Sequence, residues 1–264
     1  MGLFHSGTQA LADLLQLNFG VYSGLPGCEV QPPVEYERKK RKWFHGGVQL
    51  APRYWTWKHH PPVLGGLDLP SHDGRTPLVY FLCVRNVVGW FQSMGKKPYS
   101  LFRDPHRTRP GGETAWMFEP VELRESSWEG RKWRFANALA MYYHYLQGYL
   151  QGSFRVPAGT RIVVVRHEDM LEHQPSLVNY IASALGIPRN QSPPRCVTHA
   201  WGSGGLTGAS LVERERGALT RFEDWEKELI LRSGRQYRSL LRLLSYSPDP
   251  WADGGPMLPL EDLE

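Results

Sequence analysis

Apolar positions change period along this chain, and each change marks an element. Leu3 and Phe4 read as the end of a strand, whereas Ala10, Leu11, Leu14 and Leu15 recur at helical spacing and predict a helix over 10–19. Leu78 to Val84 is an unbroken apolar run of the kind that a parallel strand buried on both faces requires. Val87, Val88, Trp90, Phe91 and Met94 then follow at helical spacing behind Asn86, a favourable N-cap. Glu129 to Gln151 reads as one long helix, with Trp133, Ala136, Ala140, Tyr143, Leu146 and Leu150 on a stripe. Leu177, Val178, Ile181, Ala182 and Leu185 predict a helix that stops at Gly186, and Trp225 to Leu244 predicts another. Strands followed by helices imply an α/β three-layer sandwich around a mostly parallel central sheet, with ligand at the strand C-termini. One domain is expected over 1–246, and the Pro-, Gly- and acid-rich stretch 247–264 is expected to be a disordered acidic tail.

Three places in this pattern carry candidate chemistry. His5-Ser6-Gly7-Thr8 lies where the first strand hands over to the first helix, a turn that aims backbone N–H groups and the positive helix end at an anion. Gly2 and Gly7 fit the outer frame of the ATP-binding P-loop, but Thr8 stands where Lys belongs and Gln9 where the Mg²⁺-holding hydroxyl belongs. Such Ser-Gly-Thr turns also serve as ordinary helix caps. At the second place, Arg85 leaves the apolar strand and Ser93 sits two helical turns beyond the Asn86 cap, so both can reach one phosphate. The alternative is an Arg paired with a surface carboxylate and a Ser facing solvent. The third place is Trp57-Lys58-His59-His60-Pro61. A neutral imidazole there can take a proton from an attacking hydroxyl while Lys58 steadies leaving-group charge. On an extended segment Lys58 and His60 share a face and His59 points away.

Composition narrows the class. The net charge of +5 favours anionic partners. Arg38-Lys39-Lys40-Arg41-Lys42 is either a solvated run or a polyanion or nuclear-import signal. Lys96, Lys97, Arg103, His106, Arg107 and Arg109 are interleaved with Pro and Gly, which predicts a long loop suited to a lid or an acceptor surface. The ten Trp can stack on sugar or aromatic acceptors or simply fill the core. The three Cys have no ligand spacing and no disulfide pattern, so neither a metal site nor an oxidised scaffold is expected. No stretch reaches the roughly 20 apolar residues of a membrane span, and a cytoplasmic location is expected, with a Golgi lumen as the alternative if residues precede Met1.

Together these segments resemble the sulfotransferases that use 3′-phosphoadenosine 5′-phosphosulfate, proteins of P-loop nucleoside triphosphate hydrolase-like fold. The resemblance covers most of residues 1–187. It implies that His5, Ser6, Gly7, Thr8 and Gln9 bind the 5′-phosphosulfate and that Arg85 and Ser93 bind the 3′-phosphate. It further implies that Lys58 and His60 are catalytic and that no metal takes part. Arg161 to Leu171 is similar to the family's strand that ends in a Glu-Asp-Leu turn. His5 stands where the family has Lys or Arg, and Gln9 where it has a second Thr. The family's Arg-Lys-Gly element is matched only loosely, by Arg214-Glu215-Arg216-Gly217 or by the Gly-rich 201–208. The implied acceptor is a hydroxyl or amine, a glycan or other anionic molecule among the candidates, and nucleic acid is not an expected partner. Two alternatives are a P-loop nucleotide kinase and a non-catalytic nucleotide- or polyanion-binding relative.

Overall fold

A computed structural model describes residues 7–19, 79–98, 101–103, 114–124, 132–151, 161–186, 189, 193–197, 217 and 221–251. They fall into two compact units, one containing residues 7–19, 79–84, 161–186, 189 and 193–197 and the other residues 85–98, 101–103, 114–124, 132–151, 217 and 221–251. The fold is mixed α/β.

The first unit is built on a parallel pair of strands. β1 (Val79–Val84) and β5 (Arg161–Arg166) run side by side, from Val79 opposite Arg161 to Val84 opposite Arg166. A parallel pair cannot close by a hairpin, so the chain must cross over between them. α1 (Thr8–Phe19) presents Leu11, Leu14 and Leu15, spaced i, i+3, i+4, to a core shared with Cys83, Val163 and Val165. After β5 come α4 (His167–Glu172) and α5 (Gln174–Leu185), which add Met170, Leu177, Val178 and Ile181 to the same core. Gly186 ends α5 in the left-handed region at φ 64°, as its position after Leu185 predicts.

The second unit contains α2 (Val87–Lys96), three strands, a short 3₁₀ turn at Ala115–Phe118, and three further helices. β2 (Leu101–Arg103), β3 (Val121–Arg124) and β4 (Lys132–Phe135) form an antiparallel sheet in that order. This sheet departs from the expected architecture. Among the described residues the parallel sheet has two strands, and β2 occupies part of the stretch read as a long loop. β4 likewise replaces the start of the helix read over 129–151. Lys132, Trp133, Arg134 and Phe135 alternate outward and inward, and the helix, α3 (Ala138–Leu150), begins only after Asn137 caps it by accepting the Ala140 N–H at 2.7 Å. The helix read over 225–244 is two, α6 (Asp224–Gln236) and α7 (Arg238–Leu243), broken at Tyr237, whose ring stacks on Tyr143 at 4.2 Å.

A Schellman turn closes α7 with a serine in the left-handed position. Ser245, at φ 56°, donates its N–H to the Arg242 carbonyl, and Tyr246 donates to Leu241. Beyond it, Ser247 and Asp249 hydrogen-bond each other's polar groups and the Trp251 ring packs edge-on to Phe222. Residues 252–264 lie outside the described residues.

Candidate phosphate-binding elements

Arg85 is the first residue past β1, and its surroundings make it a fixed cation. The ladder ends at Val84, and Asn86 begins α2 by accepting the Gly89 N–H at 2.8 Å. Asn86 also supplies the first helical acceptor, its carbonyl taking the Trp90 N–H at 3.0 Å. Arg85 therefore lies between the end of the β1–β5 ladder and the Asn86 cap of α2. Its side chain turns along α2, and Nη1 donates to the Ser93 hydroxyl at 2.8 Å. The seven-residue step from the cap to Ser93 thus brings the serine back to the strand exit, as helical geometry requires. Arg85 is only 8% exposed, so its charge is held in a poorly solvated place where an anion gains more than it would in water.

The floor under this pair is aromatic. Trp90 and Phe91, both fully buried on α2, meet edge to face at 5.3 Å. Phe91 continues to Phe118 at 5.0 Å and Phe118 to Trp225 at 5.2 Å, while Trp90 also lies against Tyr142 of α3. Such contacts add roughly 0.5–1.5 kcal/mol per pair beyond area burial and keep α2 from rolling. Burial raises the hydroxyl pKa values of the neighbouring Tyr143, Tyr145 and Tyr149, so all three stay neutral over the physiological range.

In the other unit, Gly7 heads α1. Its carbonyl accepts the Leu11 N–H at 3.0 Å, which makes Gly7 the cap and Thr8 the first helical residue. The helix so begins two residues earlier than its apolar periodicity suggests, and Thr8 and Gln9 occupy its first turn, where backbone N–H groups have no helical acceptor. Gly7 has φ 82°, and a Cβ there would come within 2.7 Å of His167 Nδ1 and 2.5 Å of Met170 Cε. Conformation and packing both call for glycine. His5, Ser6, Lys58 and His60 lie outside the described residues, as does His59.

His167 and Met170 lie in the 161–171 segment that carries the resemblance but were not assigned to the site from sequence, and Tyr142 was not singled out. A signal for the first two was available, since the apolar strand 161–165 ends in Arg166-His167-Glu168-Asp169 much as 78–84 ends in Arg85-Asn86. Arg166, however, is bidentate to Asp169, with Nε to Oδ2 at 2.8 Å and Nη2 to Oδ1 at 2.7 Å, so its charge is matched within the turn. Tyr142 carried no signal, because an aromatic on an apolar helix stripe reads as core.

No protein-family model, curated protein or solved structure matches this chain. Among the described residues, no helix is long and apolar enough to cross a membrane.

Proposed function

We propose that the protein is a sulfotransferase of three-layer, P-loop-like architecture that moves a sulfuryl group from 3′-phosphoadenosine 5′-phosphosulfate to an acceptor hydroxyl or amine. The observation that carries this reading is the Arg85 to Ser93 hydrogen bond at the exit of a parallel strand. A guanidinium held beside a hydroxyl at that place is a suitable cradle for a 3′-phosphate. Gly7 heads α1, whose first-turn backbone N–H groups suit an anion, and the sequence resemblance assigns Ser6, Gly7, Thr8 and Gln9 to the 5′-phosphosulfate. The resemblance assigns His5 to the same ligand, as a group able to carry positive charge.

In this mechanism His60 removes the proton from the acceptor while the acceptor oxygen or nitrogen attacks sulfur in line. The new bond to sulfur forms as the bond from sulfur to the phosphate oxygen breaks, and adenosine 3′,5′-bisphosphate leaves. Lys58 stabilises charge on the sulfuryl oxygens and the departing phosphate. Positioning does the rest.

Replacing Arg85 by Ala tests the assignment of the two ends of the cofactor. Calorimetry should show adenosine 3′,5′-bisphosphate binding weakened about tenfold or more, the worth of a charge-assisted hydrogen bond, with adenosine 5′-phosphosulfate much less affected. Equal losses for the two ligands would make Arg85 a structural residue and remove the main support for the reading.

A further inference from the structure

We infer that Tyr142 is a positioning residue for 3′-phosphate recognition, acting through the Arg85 backbone; this rests on the proposed function. The Arg85 carbonyl lies past the last β1–β5 ladder pair, Val84 with Arg166, and one residue before the Asn86 carbonyl that opens α2. The residue is buried, and Tyr142 reaches its carbonyl. Its hydroxyl, delivered from the middle of α3, donates to the Arg85 carbonyl at 2.7 Å in a buried contact. The ring is fully buried and wedged between Trp90 at 5.2 Å and Tyr143 at 5.1 Å, so the hydroxyl cannot swing away.

The consequence concerns aim. The peptide after Arg85 is pinned by Tyr142, and the next residue is pinned by the Asn86 cap. With the Cα of Arg85 held in this way, the guanidinium arrives at Ser93 in one orientation. Tyr142 need not touch the ligand to set how well a phosphate is held, because a donor displaced by even 1 Å leaves good hydrogen-bond geometry. A residue in this role should alter affinity for the 3′-phosphate and leave contacts to the rest of the nucleotide alone.

The test is Tyr142→Phe, which keeps the ring packing and removes the donor. Affinities for adenosine 3′,5′-bisphosphate and adenosine 5′-monophosphate are measured on the same samples, so that any unfolded fraction cancels in their ratio. The wild type should prefer the bisphosphate, and the variant should lose about fivefold or more of that preference, the effect of one buried hydrogen bond. In an Arg85→Ala background the same substitution should add no further loss, since the two act as one unit. A preference unchanged in Tyr142→Phe, or an undiminished loss in the Arg85→Ala background, overturns the inference and leaves the proposed function standing. A wild type without preference for the bisphosphate overturns both. Should Tyr142→Phe not fold, 3-fluorotyrosine placed at position 142 gives a second readout. Its fluorine resonance should move with the bisphosphate and stay with the monophosphate, and equal response to both overturns the assignment.

Discussion

Asn18 shows how one polar side chain can organise a loop from inside a core. It is fully buried on the apolar face of α1, one turn after Leu14, where its Nδ2 donates to the Leu14 carbonyl at 2.9 Å and to the Arg195 carbonyl at 2.8 Å. Its Oδ1 accepts the Arg195 N–H at 2.8 Å. Gln174 repeats the arrangement two residues on, donating to the Val197 carbonyl and accepting the Val197 N–H. Two side-chain amides thus pair with backbone groups of this segment. Asn18→Ala should lower unfolding free energy by roughly 2–3 kcal/mol, because one buried and two part-buried hydrogen bonds of a side chain held in the core are lost. Urea denaturation measures this, and a loss below about 0.5 kcal/mol would mean that 193–197 rehydrates at little cost. Nothing in local sequence marks Asn18. A polar residue after an apolar helix stripe reads as exposed, and its partner lies 177 positions away.

Among elements, α6 poses a conflict between local preference and packing. Gly234 is buried in its last turns, where alanine would be the better helix former by about 0.8–1 kcal/mol. A Cβ at that position would nevertheless run into the backbone carbonyl oxygen of Pro248, which the turn through Ser247 and Asp249 brings against the helix. Backbone cannot rotate aside as a side chain can. Gly234→Ala should therefore lower the melting temperature despite its propensity gain, and a rise on thermal unfolding would show that the 246–251 segment yields freely. The same opposition explains which elements were legible. β1, α2 and α5 were readable because unbroken apolar runs, an Asn cap and a terminal Gly are local signals. β4 was hidden because Lys132 to Phe135 continues a stripe that also fits helical spacing, and only pairing with β3 selects the strand. The outer row Phe102, Glu122 and Arg134 shows this dependence, with Glu122 held by Arg124 and Arg134, whose hydrogen bonds and charge keep its carboxyl below the usual range.

For the whole molecule, the proposed chemistry predicts which nucleotide stabilises it. Adenosine 3′,5′-bisphosphate at about a hundred times its dissociation constant should add roughly 2.7 kcal/mol to stability. ATP with Mg²⁺ should add much less, since Thr8 and Gln9 replace the Lys and hydroxyl that a P-loop uses for the triphosphate and its metal. A thermal-shift comparison in which ATP with Mg²⁺ gives the larger effect would favour the nucleotide kinase alternative. The candidate site was legible to the same degree as its local signals. Arg85 and Ser93 were placed together by counting helical turns from a cap, whereas Tyr142 and the His167–Met170 contact with Gly7 join residues far apart in the chain.

By itself the sequence determined where apolar runs end, where helices are capped and which residues of suitable chemistry stand at those ends. These are short-range matters, decided by side-chain period, backbone freedom and the hydrogen bonds available within about one helical turn. Tertiary structure decided the rest: that β1 takes β5 as its parallel neighbour, that β2, β3 and β4 form an antiparallel sheet, and that Tyr142 closes on the carbonyl behind Arg85. Those outcomes depend on which buried polar groups and apolar faces find partners across long stretches of chain, and that pairing is settled only when the chain has folded.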